Sequence, residues 1–335
     1  MDKRGQLSLF GGAGPDPAGP EAVVTAEQRA LAARLPPSLY LGTSSWTFPG
    51  WAGIVYAGRP SKDKLVERGL EAYAKHPLLR TVGVDRSYYA PMTVDDWRGY
   101  ARQVPAGFRA LSKAWSEVTT AVFPDHPRLG ERAGRVNPRF LDPELALEMI
   151  ARPYLDGMAG HAGPLVFELP PIPERMLPPE ADFLRLLEGL LARMPRDLPV
   201  AVELRTRRLL TPRYLDLLRR HGASHVLNLW TAMPTPGEQA AMGADDGDAP
   251  LVLRLMLPPG TSYEQLKAAY DPFDRLVAPQ PRMRAEVVEL VGRAARRGRP
   301  AFVIANNKAE GSAPLTLFAI AQLLADALER AEDDA

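Results

Sequence analysis

The sequence predicts a single α/β domain, a TIM-like (β/α)8 barrel preceded by an N-terminal tail. Three observations predict it. Short β-rich runs recur from Tyr40 onward, helical patterns fill most gaps between them, and no Gly-rich phosphate loop follows the first run. The last observation separates a barrel from a doubly wound open sheet, which usually carries G-x-G-x-x-G after its first strand. Here that turn reads Gly42-Thr43-Ser44-Ser45-Trp46.

The elements follow in chain order. Residues 1–24 have no hydrophobic period, and Gly11 to Pro20 is dominated by Gly, Ala, Pro and Asp, so a disordered tail is expected. In the lead-in, 25–39, Thr25-Ala26-Glu27-Gln28 has capping-box spacing and opens a short helix to about Arg34. The barrel is expected over 40–330. Its strands are read at Tyr40–Thr43, Thr81–Asp85, Arg109–Ser112, Leu165–Glu168, Val200–Glu203, His225–Leu229, Leu251–Leu255 and Ala301–Ile304. Its helices are read at Ser61–Lys75, Val94–Gln103, Pro143–Tyr154, Glu180–Met194, Pro212–His221, Arg282–Arg297 and Ala313–Glu329. In the last, Leu317, Ile320, Ala321 and Leu324 share one face. Only the connection between the sixth and seventh strands lacks a helical pattern; it holds Pro234, Pro236 and the acidic turn Asp245-Asp246-Gly247-Asp248.

Composition narrows the function classes. The 335 residues are 46% hydrophobic and 24% charged, enough for a sizeable core. The 41 basic and 40 acidic side chains argue against wholesale coating of nucleic acid or membrane, though a local basic groove remains compatible. The absence of cysteine removes disulfides, thiolate nucleophiles and Cys-based metal sites. No signal-like h-region and no stretch of about 18 apolar residues appears, so a cytoplasmic protein without a membrane partner is expected.

Polar residues just after barrel strands face the site. The first strand delivers Thr43, Ser44 and Trp46, the second Asp85, Ser87, Tyr88 and Tyr89, and the third Ser112, Lys113 and Trp115. Glu168 follows from the fourth, Glu203 and Arg205 from the fifth, Asn228 and Trp230 from the sixth, Arg254 from the seventh, and Asn306, Asn307 and Lys308 from the eighth. Charge on an otherwise apolar strand needs a partner or a function. Glu203, Lys113, Asp85 and Glu168 are the candidate catalytic centre. Thr43, Ser44, Trp46, Ser87, Tyr88, Arg205, Arg254, Asn306 and Asn307 are the candidate substrate-binding wall. One division of roles makes Glu203 a base or metal ligand, with Lys113 and Arg254 holding phosphate. Structural ion pairs within a barrel interior are the competing reading for each residue.

A glycosidase needs two carboxyl groups about 5–10 Å apart. Glu168 and Glu203 come from neighbouring strands, but the seventh ends in Leu255-Met256 with no acid, which argues against that chemistry. Of the histidines His76, His126, His161, His221 and His225, only His221 and His225 stand at H-x-x-x-H spacing, and they flank the entry to the sixth strand at the opposite end of the barrel, so no histidine metal site and no cofactor are expected; a carboxylate-bound divalent metal stays open. Ser312 and Pro314 suit the start of the last helix, where Lys308 could assist an anion.

Six segments, taken in order, resemble the YecE-like family, the domain of unknown function 72. Leu41-Gly42-Thr43-Ser44-Ser45-Trp46 with Trp51-x-Gly53-x-x-Tyr56 is similar to its opening "GTSGW…W.G.FYP". Thr81 to Tyr89 resembles "VEINSTFY", Ala110 to Lys113 "F.VK", Phe167 to Pro171 "FQLPP", Ala201 to Arg205 "VEFR", and Phe302 to Pro314 "FFNN…G.AP". The resemblance runs from Tyr40 to Leu324 and implies a TIM-type barrel distantly akin to barrel endonucleases and isomerases, with no defined activity. Three positions depart from the pattern: Asp85 replaces a glutamate, Arg86 an asparagine and Glu168 a glutamine.

Within the tail, Gln6-Leu7-Ser8-Leu9-Phe10 resembles the bacterial sliding-clamp-binding peptide. Two leucines and a phenylalanine on a disordered segment can fold into an apolar cleft. The expectation is a barrel tethered to the DNA sliding clamp that binds or acts on nucleic acid in DNA repair or replication, as a hydrolase or nuclease if it is an enzyme. A small-molecule enzyme for a carbohydrate or phosphorylated substrate, and a catalytically silent binding module, are the alternatives.

Overall fold

A computed structural model describes residues 19–333, with side chains through residue 331. Its strands are β1 (Leu39–Thr43), β2 (Thr81–Val84), β3 (Arg109–Lys113), β4 (Ala162–Leu169), β5 (Val200–Leu204), β6 (Ser224–Leu229), β7 (Leu251–Leu255) and β8 (Ala301–Ala305). Each pairs in parallel with the next, and β8 pairs with β1, closing an eight-stranded barrel. Parallel strands covered by helices are buried on both faces, which is why runs such as Leu251–Leu255 are apolar apart from one residue.

Alternation along the strands builds the interior in layers. Leu111, Val166, Ala201, Val226, Val252 and Ile304 pack into one buried cluster, while their strand neighbours join the larger core under the helices. Side chains two residues apart share a strand face. Adding two to each position gives Lys113, Glu168, Glu203, Asn228, Arg254 and Asn306. The barrel therefore carries a polar layer above an apolar one, at the carboxyl ends of its strands. At the opposite end, the base, Tyr40 stacks on Phe302 at 4.5 Å and Arg80 lies over the Tyr40 ring.

Gly42 earns its place through β1–β2 contact. A Cβ there would lie 1.9 Å from the Thr81 carbonyl oxygen, so no larger residue fits that register.

The expected helices are present within a few residues of their read bounds, and Thr25 and Gln28 form the capping box of the helix Ala26–Ala33. Residues 21–23, read as tail, instead run against the loop after β1: Val23 N–H donates to Val55 O, Ala57 N–H to Glu21 O, and Ala22 bridges Tyr56. The peptide Gln6–Phe10 lies outside the described residues. Helices Arg86–Tyr89, Ser116–Thr119 and Tyr263–Tyr270 were not expected, because one or two turns are too short to show a 3.6-residue period. The β6–β7 connection holds a short helix, Pro236–Gln239, running into a π-helical turn, Ala240–Ala244. Its capping box, Thr235 with Glu238, is a local signal masked by the surrounding prolines. Among the described residues, no helix is long and apolar enough to cross a membrane.

Candidate functional site

Six charged side chains meet at the mouth. Glu168 and Glu203 stand side by side because their Cα positions are register partners on β4 and β5. Arg254, on β7, donates through Nη1 to Glu168 Oε2 at 2.7 Å and also to Glu203 Oε2. Arg205 reaches Glu168 Oε2 at 2.9 Å through Nη2 and Glu203 Oε1 at 3.1 Å through Nε. Lys113 Nζ lies 3.4 Å from Glu168 Oε2 and 3.2 Å from Asp85 Oδ1. Three cations thus balance three carboxylates. Glu203 is fully buried and Arg254 is 1% exposed.

Electrostatics follows from that packing. Burial alone raises the Glu168 carboxyl, but Arg205, Lys113 and Arg254 together outweigh it and hold the group down to about 2. Arg254 loses by burial and gains more from Glu203 and Glu168, so its guanidinium is held still more firmly charged. Burial, followed by the Glu168 charge, pushes the Tyr88 phenol up to about 12.

Two of the cations lean on rings. Lys113 Nζ sits 4.4 Å from the Tyr88 ring centroid, and the Arg205 guanidinium lies 3.8 Å from that of Trp230. Tyr88 is held there by the helical turn Arg86–Tyr89. Within that turn Ser87 Oγ donates to Lys113 O at 2.8 Å and contacts Ser112 Oγ at 3.0 Å, tying the β2 loop to the end of β3. Tyr89 beside it is 76% exposed. Arg86 points elsewhere, to Asp96 at 3.1 Å.

Behind Glu203 runs a neutral chain of hydrogen bonds. Asn228 Nδ2 donates to Leu204 O at 2.8 Å and reaches Glu203 Oε1 at 3.4 Å. Gln239 Nε2 donates to Asn228 O at 2.8 Å, and Gln239 Oε1 accepts from His225 Nε2 at 2.9 Å. His225 Nδ1 therefore accepts from the Tyr214 hydroxyl at 3.0 Å. Burial keeps this histidine neutral, depressing it to about 4.

The β8–β1 side of the mouth is uncharged apart from one lysine. Asn306 Nδ2 donates to Ser44 Oγ at 2.8 Å, and Asn306 Oδ1 accepts the Lys308 backbone N–H at 3.0 Å. Asn307 Oδ1 accepts from Trp51 Nε1 at 3.2 Å and from Ala313 N–H at 2.8 Å, anchoring the start of the helix Ala313–Asp333.

Of the sequence-read site residues, Asp85, Ser87, Tyr88, Lys113, Glu168, Glu203, Arg205 and Arg254 are brought together, Ser44 and Asn306 meet on the far side, and Asn307 is buried against Trp51 and the start of the last helix. Thr43 and Trp46 lie apart from the cluster. Thr43 Oγ1 donates to Ser45 O at 2.6 Å and contacts the Tyr73 hydroxyl, while Trp46 Nε1 donates to Leu65 O at 3.0 Å against the helix Lys62–Ala74. The reason is parity: Thr43 alternates with Ser44, so it faces the helices. Gln239 and His225 were not read as site residues; a glutamine in a four-residue helix gives no periodic signal. Among the described residues, no group of three His, Cys, Asp or Glu is placed to hold a metal ion.

Comparison with known proteins gives the following. The profile of the family described as protein of unknown function DUF72 matches residues 40–335. No curated protein matches. Two crystal structures of a DUF72 family protein, EF0366 from Enterococcus faecalis V583, superpose with TM-scores of 0.55 and 0.51 at 17% and 15% identity. Each covers 85% of this chain, and the matches span 95% and 97% of those chains. A DUF72 family protein of Thermotoga maritima MSB8, TM1631, superposes with a TM-score of 0.52 at 17% identity, covering 87% of this chain and 99% of its own. At these identities the likeness speaks for the fold.

Proposed function

The chain belongs to the DUF72 family, and from that premise we propose that it binds nucleic acid at the barrel mouth, with its tail tethering it to the DNA sliding clamp during repair or replication. The observation that carries the mouth reading is the pairing of cations with ring faces: Lys113 over Tyr88, Arg205 over Trp230, and exposed Tyr89 alongside. Single-stranded nucleic acid needs that combination, because bases stack on rings while phosphates follow cations. Glu168, Glu203 and Arg254 serve as the frame. Their charges are spent within the ion-pair network that Arg205, Lys113 and Asp85 complete, which supports binding more than hydrolysis. The clamp reading is carried by the sequence Gln6-Leu7-Ser8-Leu9-Phe10. Tethering would raise the local concentration of DNA, so a weak and nearly neutral mouth suffices.

Fluorescence anisotropy with a labelled single-stranded oligonucleotide tests the mouth. Saturable binding that weakens with salt is expected, as phosphate contacts release counterions. No binding at low salt sinks the reading. Pull-down with the clamp, comparing the full chain with one lacking residues 1–12, tests the tether; equal capture, or none by either, removes it.

A further inference from the structure

Among the described residues four lysines or arginines are buried: Lys113, Arg254, Arg299 and Lys308. Three have carboxylates. Lys113 has Asp85 and Glu168, Arg254 has Glu168 and Glu203, and Arg299 has Asp245 at 3.0 Å. Lys308, 5% exposed, has no carboxylate among the described residues. Its Nζ lies 3.4 Å from Asn306 Oδ1, 3.8 Å from the Tyr263 ring centroid and 5.9 Å from that of Phe273. The one buried acid on the same loop, Glu310, is taken by Arg284 at 2.8 Å and by the Gln280 N–H.

An ammonium has three donors, and burying it without a counter-charge is costly. Ring faces offset part of that cost. Asn306 Oδ1 supplies one acceptor, and Ser44 adds a donor beside it. Asn306 spends its amide on Ser44 Oγ, so the Ser44 hydroxyl proton is left to point at something else. Tyr263, half exposed, leaves a way in from solvent beside the ammonium.

We infer that Lys308, together with Ser44, seats a phosphate group of the ligand on the β8–β1 side of the mouth. The seat rests on the nucleic-acid reading only for the source of that phosphate. An oligonucleotide backbone and a free nucleotide share the chemistry, and the Tyr263 ring offers a face to the attached base or sugar. Arg205 and Lys113 lie across the barrel, so a ligand spanning the mouth meets cations at both rims.

Thermal unfolding and calorimetric titration at constant ionic strength test this, with inorganic phosphate, a nucleoside 5′-monophosphate and a short oligonucleotide as probes. Wild type is expected to melt at a higher temperature as phosphate is added, by mass action on the folded state. Lys308→Met is expected to lose that response, with affinity down about tenfold or more, and to melt no lower than wild type without phosphate. Lys308→Arg keeps the response, and Ser44→Ala weakens it. If Lys308→Met does not fold, the last two variants carry the test. Absence of any phosphate response in wild type overturns the seat, as does an undiminished response in Lys308→Met or Ser44→Ala. Oligonucleotide binding that Lys308→Met retains in full would remove the seat and leave the mouth reading standing; phosphate and nucleotide binding without oligonucleotide binding would do the reverse.

Discussion

Both ends of the barrel bury an arginine against acids, and the two arginines are built differently. At the base, Arg299 binds Asp245 and spends the rest of its guanidinium on backbone oxygens, Ala249 O at 2.7 and 3.0 Å and Asp245 O at 3.1 Å. That is a clasp: all three guanidinium nitrogens donate to the connection between β6 and β7. At the mouth, Arg254 is equally sealed, but it is shared between two carboxylates that also hold Arg205 and Lys113. Those outer cations end on ring faces instead of backbone. The difference separates a fastening from cations set against ring faces, the arrangement on which the proposed nucleic-acid reading rests.

The largest expected effect breaks the frame. Arg254→Met leaves Glu168 and Glu203 buried against each other and should cost about 3–5 kcal/mol in urea unfolding. Arg299→Met should cost less, about 1–3 kcal/mol, because Arg293 still reaches Asp245. Equal losses would mean that the two ends are the same kind of device. Next, Arg205→Ala should weaken oligonucleotide binding about tenfold by anisotropy, whereas Arg299→Met should leave it unchanged.

A smaller effect is acid lability. His225 is neutral and held near 4 by burial, so the unfolded chain takes up its proton first. Stability from this group is complete above the ordinary histidine value of about 6.5 and declines as pH falls toward 4, by about 1 kcal/mol per pH unit. His76, depressed likewise by burial, adds in the same direction. Glu168, held near 2, takes over below about 4.5. Equilibrium unfolding between pH 7 and 5 should therefore flatten in a His225→Asn variant, and an unchanged slope would count against the buried neutral tautomer. The smallest effect sharpens the comparison. Glu168→Gln gives the mouth a net positive charge and should tighten oligonucleotide binding about threefold while lowering stability.

The barrel was legible because parallel strands buried on both faces advertise themselves as apolar runs, and Leu251–Leu255 matched to the residue. The charged layer was legible for the same reason: Glu203 and Arg254 interrupt such runs. Which strand-end residue faces the mouth was harder. Thr43 and Ser44 are adjacent in sequence, and only the parity set by β1–β8 pairing sends one to Tyr73 and the other to Asn306. Pairings across long separations had no local signal at all. Arg254 and Glu168 are 86 residues apart, and Gln239 meets His225 through a loop whose prolines hid its helix. Arg299 lies just beyond the end of the helix Pro281–Arg296, and no local pattern distinguishes it from the arginines of that helix, yet it becomes the clasp.

The most direct test of the mouth is photocrosslinking. A single-stranded oligonucleotide carrying a photoreactive uracil would be irradiated with the protein and the adducts mapped by mass spectrometry. Adducts on Tyr88, Tyr89 and Trp230, lost on adding unlabelled oligonucleotide, are the predicted result. Adducts confined to the base or the outer helices, with those three rings unmodified, would contradict the assignment of the mouth as the nucleic-acid face.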